Sequence, residues 1–158
     1  MDVQPATHDT FVVLRTYPQP PQRVFAAFAE PALKRRWYAA GEHHDVEEFA
    51  MDFRVGGIER ALYRFKPGTP FAGATFSSHG IYLDIVADRR VVTGSAMAMA
   101  ERRFSASLVT IELVPDGGGT QLVCTNQGAY FEGADGPRAR EAGWQKLLLR
   151  LDTVLDPH

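Results

Sequence analysis

Apolar residues keep one spacing near the start of the chain, a second through its middle and a third at its end. The run FVVLRTY, residues 11–17, is dense in β-branched and aromatic side chains and predicts a first strand, and the polar residues 1–9 before it are expected to fray. Prolines then stop the strand. In PQPPQRVFAAFAEP they stand where a helix can begin, Val24, Phe25 and Phe28 share one helical face, and Glu30-Pro31 ends it. Pro31 opens a second short helix carrying Leu33 and Trp37.

From Asp45 to about Tyr130 the period becomes two, which predicts strands near 45–54, 57–65, 73–86, 90–100, 103–114 and 120–130. Lys66-Pro67-Gly68, Asp88-Arg89 and the run PDGGG at 115–119 supply turn residues between them, so successive strands are antiparallel neighbours. Gly56-Gly57 reads as a hairpin turn or as a bulge that curves the sheet. After an irregular crossing, AYFEGADGPRAR, the period changes again. In EAGWQKLLLRLDTVL, residues 141–155, Trp144, Leu147, Leu148, Leu151 and Leu155 recur at helical spacing. A helix of roughly 18 residues spans about 27 Å, enough to cross a sheet. The pattern predicts an α+β fold, a single domain over 1–158 in which helices cover one face of a curved antiparallel sheet.

Composition narrows the partners. A chain of 158 residues with 45% hydrophobic residues, 23% charged residues and a formal net charge of -2 has the balance of a globular protein and no bulk attraction to nucleic acid. No basic segment followed by an apolar core stands near Met1, and no window approaches the ~20 apolar residues of a membrane span, so no membrane insertion is expected. The single cysteine, Cys124, excludes an intramolecular disulfide and a multi-cysteine metal site and suits the cytoplasm.

Candidate chemistry is sparse. His43-His44 precedes Asp45, Glu47 and Glu48, but neighbouring residues of a strand face opposite ways, so no metal site is expected there; His8 and His158 lie near the chain ends. Ser77, Ser78, Ser95, Ser105 and Ser107 sit in no nucleophile elbow, and Cys124 has no evident base. Glycines 117–119 lack the lysine of a phosphate loop. Lys34-Arg35-Arg36 reads as a solvated face, and Glu132, Asp135, Arg138, Arg140 and Glu141 as a solvated mouth or cap. Strand parity puts Phe49, Met51 and Phe53 on one face, Thr93, Ser95, Met97 and Met99 on one, and Leu122, Cys124 and Asn126 on one. Together with the Trp144 stripe these sets form either a dry core or the walls of a cavity, in which His79, Asn126, Thr93 and Ser95 would orient a ligand. Gly143, inside the helix, predicts a close approach of sheet or loop.

Several of these segments, DFRVGG at 52–57, GIYLDIV at 80–86, Val109-Thr110-Ile111 with Gly119-Thr120-Gln121-Leu122, and Gly143-Trp144, together resemble the START-like (SRPBCC) superfamily over about residues 10–156. The nearest resemblance is to the family similar to the C-terminal domain of the activator of heat-shock protein 90 ATPase. It implies a helix-grip fold, a curved antiparallel sheet wrapped around the C-terminal helix, usually with an apolar cavity between them. Members often carry a histidine before a glycine near the end of the penultimate element, where this chain has Asn126-Gln127-Gly128.

The resemblance implies a site for a small apolar or amphipathic ligand, with Trp37, Phe49, Met51, His79, Met97, Met99, Asn126, Tyr130, Trp144 and Leu148 as candidate lining and neither cofactor nor metal. Two alternatives stay open. One is a cyclase- or hydrolase-like enzyme in which His79 pairs with a carboxylate, and the other is a chaperone-linked, stress-response or homodimeric interaction module.

Overall fold

The structure, a computed structural model, describes residues 4–156. Its framework is a seven-stranded sheet in the order β1-β7-β6-β5-β4-β3-β2, antiparallel at every junction. The strands are β1 (Thr7–Tyr17), β2 (His44–Met51), β3 (Ile58–Phe65), β4 (Thr75–Val86), β5 (Arg90–Met99), β6 (Arg102–Asp116) and β7 (Gly119–Tyr130). Each predicted strand is present within a few residues of its expected bounds. The largest difference is at the start, where Thr7, His8 and Asp9, expected to fray, extend β1 by pairing with Tyr130, Ala129 and Gly128. Residues 1–3 and His158 lie outside the described residues.

Between β1 and β2, the two edges of the sheet, the chain forms α1 (Pro21–Ala29) and α2 (Pro31–Lys34). Proline opens both, its fixed φ and missing N–H suiting a first helical position. α2 continues as a π-helical turn over Arg35–Ala39, closed by the Ala40 N–H donating to the Arg35 carbonyl at 3.0 Å. The last helix, α3 (Pro137–Leu155), packs against β1, α1 and the π turn. A curved sheet that holds a long helix in its concavity is the helix-grip arrangement.

Gly56-Gly57 makes the tight turn between β2 and β3. Gly56 takes a left-handed φ of 85°, and a Cβ on Gly57 would stand 1.9 Å from the Asp52 carbonyl oxygen, so the chain reverses where only glycine fits. Register shifts between Val46 and Glu48, Tyr82 and Asp84, and Met97 and Ala98 mark bulges, the usual device for bending a sheet.

The inward residues change character along the strands. At one end Val91, Ile111, Cys124 and Val13 form a row of cross-strand neighbours, with Leu113 and Leu122 beyond it. Under this end pack Val24 and Phe28 of α1, Trp37, and Leu148, Leu151 and Val154 of α3, all at most 3% exposed. That is the dry core. Toward the other end the inward row is Gly80, Ser95, Ser107 and Gly128, opposite one another on β4, β5, β6 and β7.

Candidate functional site

Above Ser95 and Ser107, between the sheet and the N-terminal half of α3, lies a cavity of about 330 Å³. That is the lower end of the usual range for small-molecule sites. Tyr38, Phe76, Met97, Val109, Trp144 and Leu147 supply its apolar wall, while Ser78, Ser95, Ser107 and Asn126 supply neutral polar groups from the sheet. Gly143 also borders it. A Cβ there would meet nothing within 4 Å, so the expected close approach of sheet or loop is absent and the glycine faces empty space.

The helical stripe therefore has two environments. Trp144 and Leu147 border the cavity, whereas Leu148 and Leu151, one turn on, are fully buried in the core. The π turn contributes from the other side. It presents Trp37, buried with its Nε1 donating to the Ala27 carbonyl at 2.8 Å, and Tyr38, which faces the cavity.

Deeper in, a narrow extension of about 30 Å³ leads to a buried ionic cluster. Lys34 Nζ lies 2.5 Å from Glu59 Oε2, and the Tyr82 hydroxyl donates to the same carboxylate oxygen. Lys34 and Glu59 are each 6% exposed, and the Lys34 ammonium stands 4.6 Å from the centre of the Tyr38 ring. Lys34 thus departs from the solvated basic face expected of it, while Arg35 and Arg36 are exposed. Burial first, and then the Glu59 charge, hold the Tyr38 and Tyr82 hydroxyls well above the ordinary tyrosine value.

At the mouth, Arg140 of α3 turns inward with its side chain 12% exposed. Its guanidinium donates to Ser105 Oγ at 2.8 Å, Ser107 Oγ at 3.3 Å and Asp135 Oδ1 at 3.2 Å. It also stacks 5.4 Å from the centre of the Tyr130 ring. Tyr130 folds back over Gly128, where a Cβ would lie 2.8 Å from its hydroxyl. Burial raises the Tyr130 pKa, with Arg140 opposing the rise. Lys146 and Arg150 complete the cationic rim, Arg150 donating to the Ala40 carbonyl, and Asp135 is the carboxylate among the lining residues.

Of the ten residues expected to line a site, Met97, Asn126 and Trp144 border the main cavity. Trp37 reaches only the narrow extension, and Leu148 belongs to the core. Tyr130 flanks the site by carrying Arg140. Phe49 packs with Ala39, Ala61 and Tyr63, Met51 packs against the main core, and Met99 pairs with Phe76 and Arg102 beyond the lining. His79 needs correction: it is exposed on the outer face of β4, because Ser78 and Gly80 on either side of it point inward. The His79–carboxylate pair imagined inside the cavity is therefore not formed. His44 does reach the lining, but its Nε2 lies 2.7 Å from the Ala39 carbonyl oxygen and its ring packs on Tyr63 and Phe76. Parity could have found Ser78 and Ser107; Asp135 and Arg140, expected to form a solvated mouth or cap, do stand at the mouth, although Arg140 is nearly buried there, and nothing local marked Tyr38 or Tyr63.

Comparison with known proteins adds the family. The family model described as Activator of Hsp90 ATPase homolog 1-like protein matches residues 18–156. Among solved structures, the Mll3558 protein from Rhizobium loti is 44% identical, with a TM-score of 0.83 over 96% of this chain and 99% of that one. An uncharacterised protein from Rhizobium leguminosarum is 33% identical, with a TM-score of 0.87 over 97% of each chain. A solution structure described as an AHSA1-like protein from Aeromonas hydrophila shares the fold at 21% identity and a TM-score of 0.66. No curated protein matches the sequence. Among the described residues no helix is long and apolar enough to cross a membrane.

Proposed function

We propose that this chain, which belongs to the Activator of Hsp90 ATPase homolog 1-like family, binds a small amphipathic molecule in the cavity between its sheet and α3. One observation carries the reading. Ser95 and Ser107, opposite one another on β5 and β6, line the cavity with short side chains, and Gly143 borders it from the helix with no atom within 4 Å of where a Cβ would stand, so both walls are cut back there. The space of about 330 Å³, open at its mouth, is large enough for a small molecule. The mixed lining also fits: an apolar wall for contact area and a few fixed hydroxyls and amides for orientation.

Nile red, a neutral apolar dye, provides the test. The unmodified protein should bind it with enhanced fluorescence, and Gly143→Leu, which places a side chain in the open space without breaking the helix, should weaken binding several-fold. Native mass spectrometry of freshly purified protein should show a retained small molecule that the variant lacks. Equal dye binding by the two proteins would remove the basis of the reading.

A further inference from the structure

We propose that the ligand is an amphipathic monocarboxylate, its anionic head held at Arg140 and Asn126 and its apolar body against Tyr38, Met97 and Trp144; this rests on the cavity being a binding site. The lining carries three cations, Arg140, Lys146 and Arg150, against the single carboxylate of Asp135, although the whole chain has a net charge of -2. The cavity therefore attracts anions in a protein that as a whole does not.

Arg140 is the cation positioned for recognition. Its guanidinium is nearly buried, yet its one anionic contact is a single bond of 3.2 Å to Asp135, a side chain 40% exposed. Two neutral serine hydroxyls and the Tyr130 ring hold the fork in place without neutralising it. A desolvated cation with so little compensation gains from an added anion, and the planar fork matches a carboxylate.

Asn126 is the second, independent sign. It is 1% exposed and borders the cavity, yet neither its Nδ2 nor its Oδ1 has a hydrogen-bond partner. The hydroxyl of Tyr130, a residue on the same face of β7, likewise lacks a partner in hydrogen-bonding geometry. Buried amides are rarely left unsatisfied unless something supplies the partner. Ser107, bonded to Arg140, stands opposite Gly128, which is two residues and roughly 7 Å along β7 from Asn126 on the same face. The two donors thus face one end of the cavity, with the aromatic wall continuing past them.

Fatty acyl and aromatic carboxylates share this chemistry. Decanoate and 2-naphthoate, each titrated beside its uncharged methyl ester, distinguish them, with tryptophan fluorescence as the readout. In at least one series the acid should bind the unmodified protein about tenfold or more tighter than the ester, with the advantage shrinking as salt rises. Arg140→Gln should erase the difference between acid and ester. Binding of both members of each pair with equal affinity overturns the carboxylate assignment while leaving the cavity a site. Binding of none of the four, together with no uptake of Nile red, overturns both readings. Because the acid–ester comparison uses the unmodified protein, it decides the matter even if Arg140→Gln misfolds.

Discussion

Leu147 and Leu148 are neighbours on α3, and the fold gives them opposite fates under the same substitution. Leu148 is fully buried among Leu151, Leu122, Val24 and other core residues, so Leu148→Ala opens a new void in close packing. Enclosed leucine-to-alanine changes cost about 3–5 kcal/mol, the larger values where the site cannot collapse. Leu147 is half-buried and already faces the cavity. Its truncation enlarges an existing space, leaving only the transfer term, three carbons at about 0.8 kcal/mol each, halved for partial exposure to about 1 kcal/mol. Helix propensity favours alanine slightly and equally at both sites, so it cancels in the comparison. At about 2–4 °C per kcal/mol for a domain of this size, Leu148→Ala should lower Tm by roughly 6–20 °C and Leu147→Ala by roughly 2–4 °C. Urea unfolding followed by circular dichroism gives the same difference as a shift in midpoint at constant m. Equal losses at the two positions would mean that the cavity closes in solution and that the two halves of the stripe share one environment.

Gly143→Ala should stabilise the protein by up to about 1 kcal/mol, since the added methyl meets no atom and the helix loses its most flexible residue; calorimetry showing a lower Tm would contradict the open space drawn there. Lys34→Met leaves the Glu59 carboxylate buried without its cation and should cost about 3–5 kcal/mol, with Glu59→Gln in the same chain restoring much of it; a lone Lys34→Met as stable as the parent would refute the buried pair. All five tyrosines have pKa values raised by burial above the ordinary 10.0. Their contribution to stability is complete below that pH and declines as pH rises through the folded values, so tyrosinate absorbance should appear together with alkaline unfolding rather than before it. Burial pushes the Cys124 thiol up to about 12, so iodoacetamide at pH 8 should label it only as fast as the protein unfolds, and rapid labelling of the native form would place the residue outside the core.

The strands, the helices and the turns between them were legible in the sequence because each is set by chain geometry over a few residues. Alternation, helical spacing and turn glycines located β2 to β7 and α3 to within a few positions, and parity correctly placed Asn126 on the same face as Cys124 and Leu122. What parity could not say was which face looks inward. His79 and Ser78 are equally good candidates until β4 is paired, and the pairing put Ser78 inside and His79 in water. The same limit hid Lys34, whose neighbours in sequence are exposed arginines and whose partner, Glu59, is 25 residues away. The cavity is the fullest case. Four small residues on four strands mean little separately, since each is unremarkable in its own strand. Only cross-strand register aligns Gly80, Ser95, Ser107 and Gly128 into one row, whose two serines line the cavity, and only the placement of α3 over the sheet sets Gly143 at the opposite wall. Local periodicity fixes which way a side chain can point, and long-range pairing fixes what it meets.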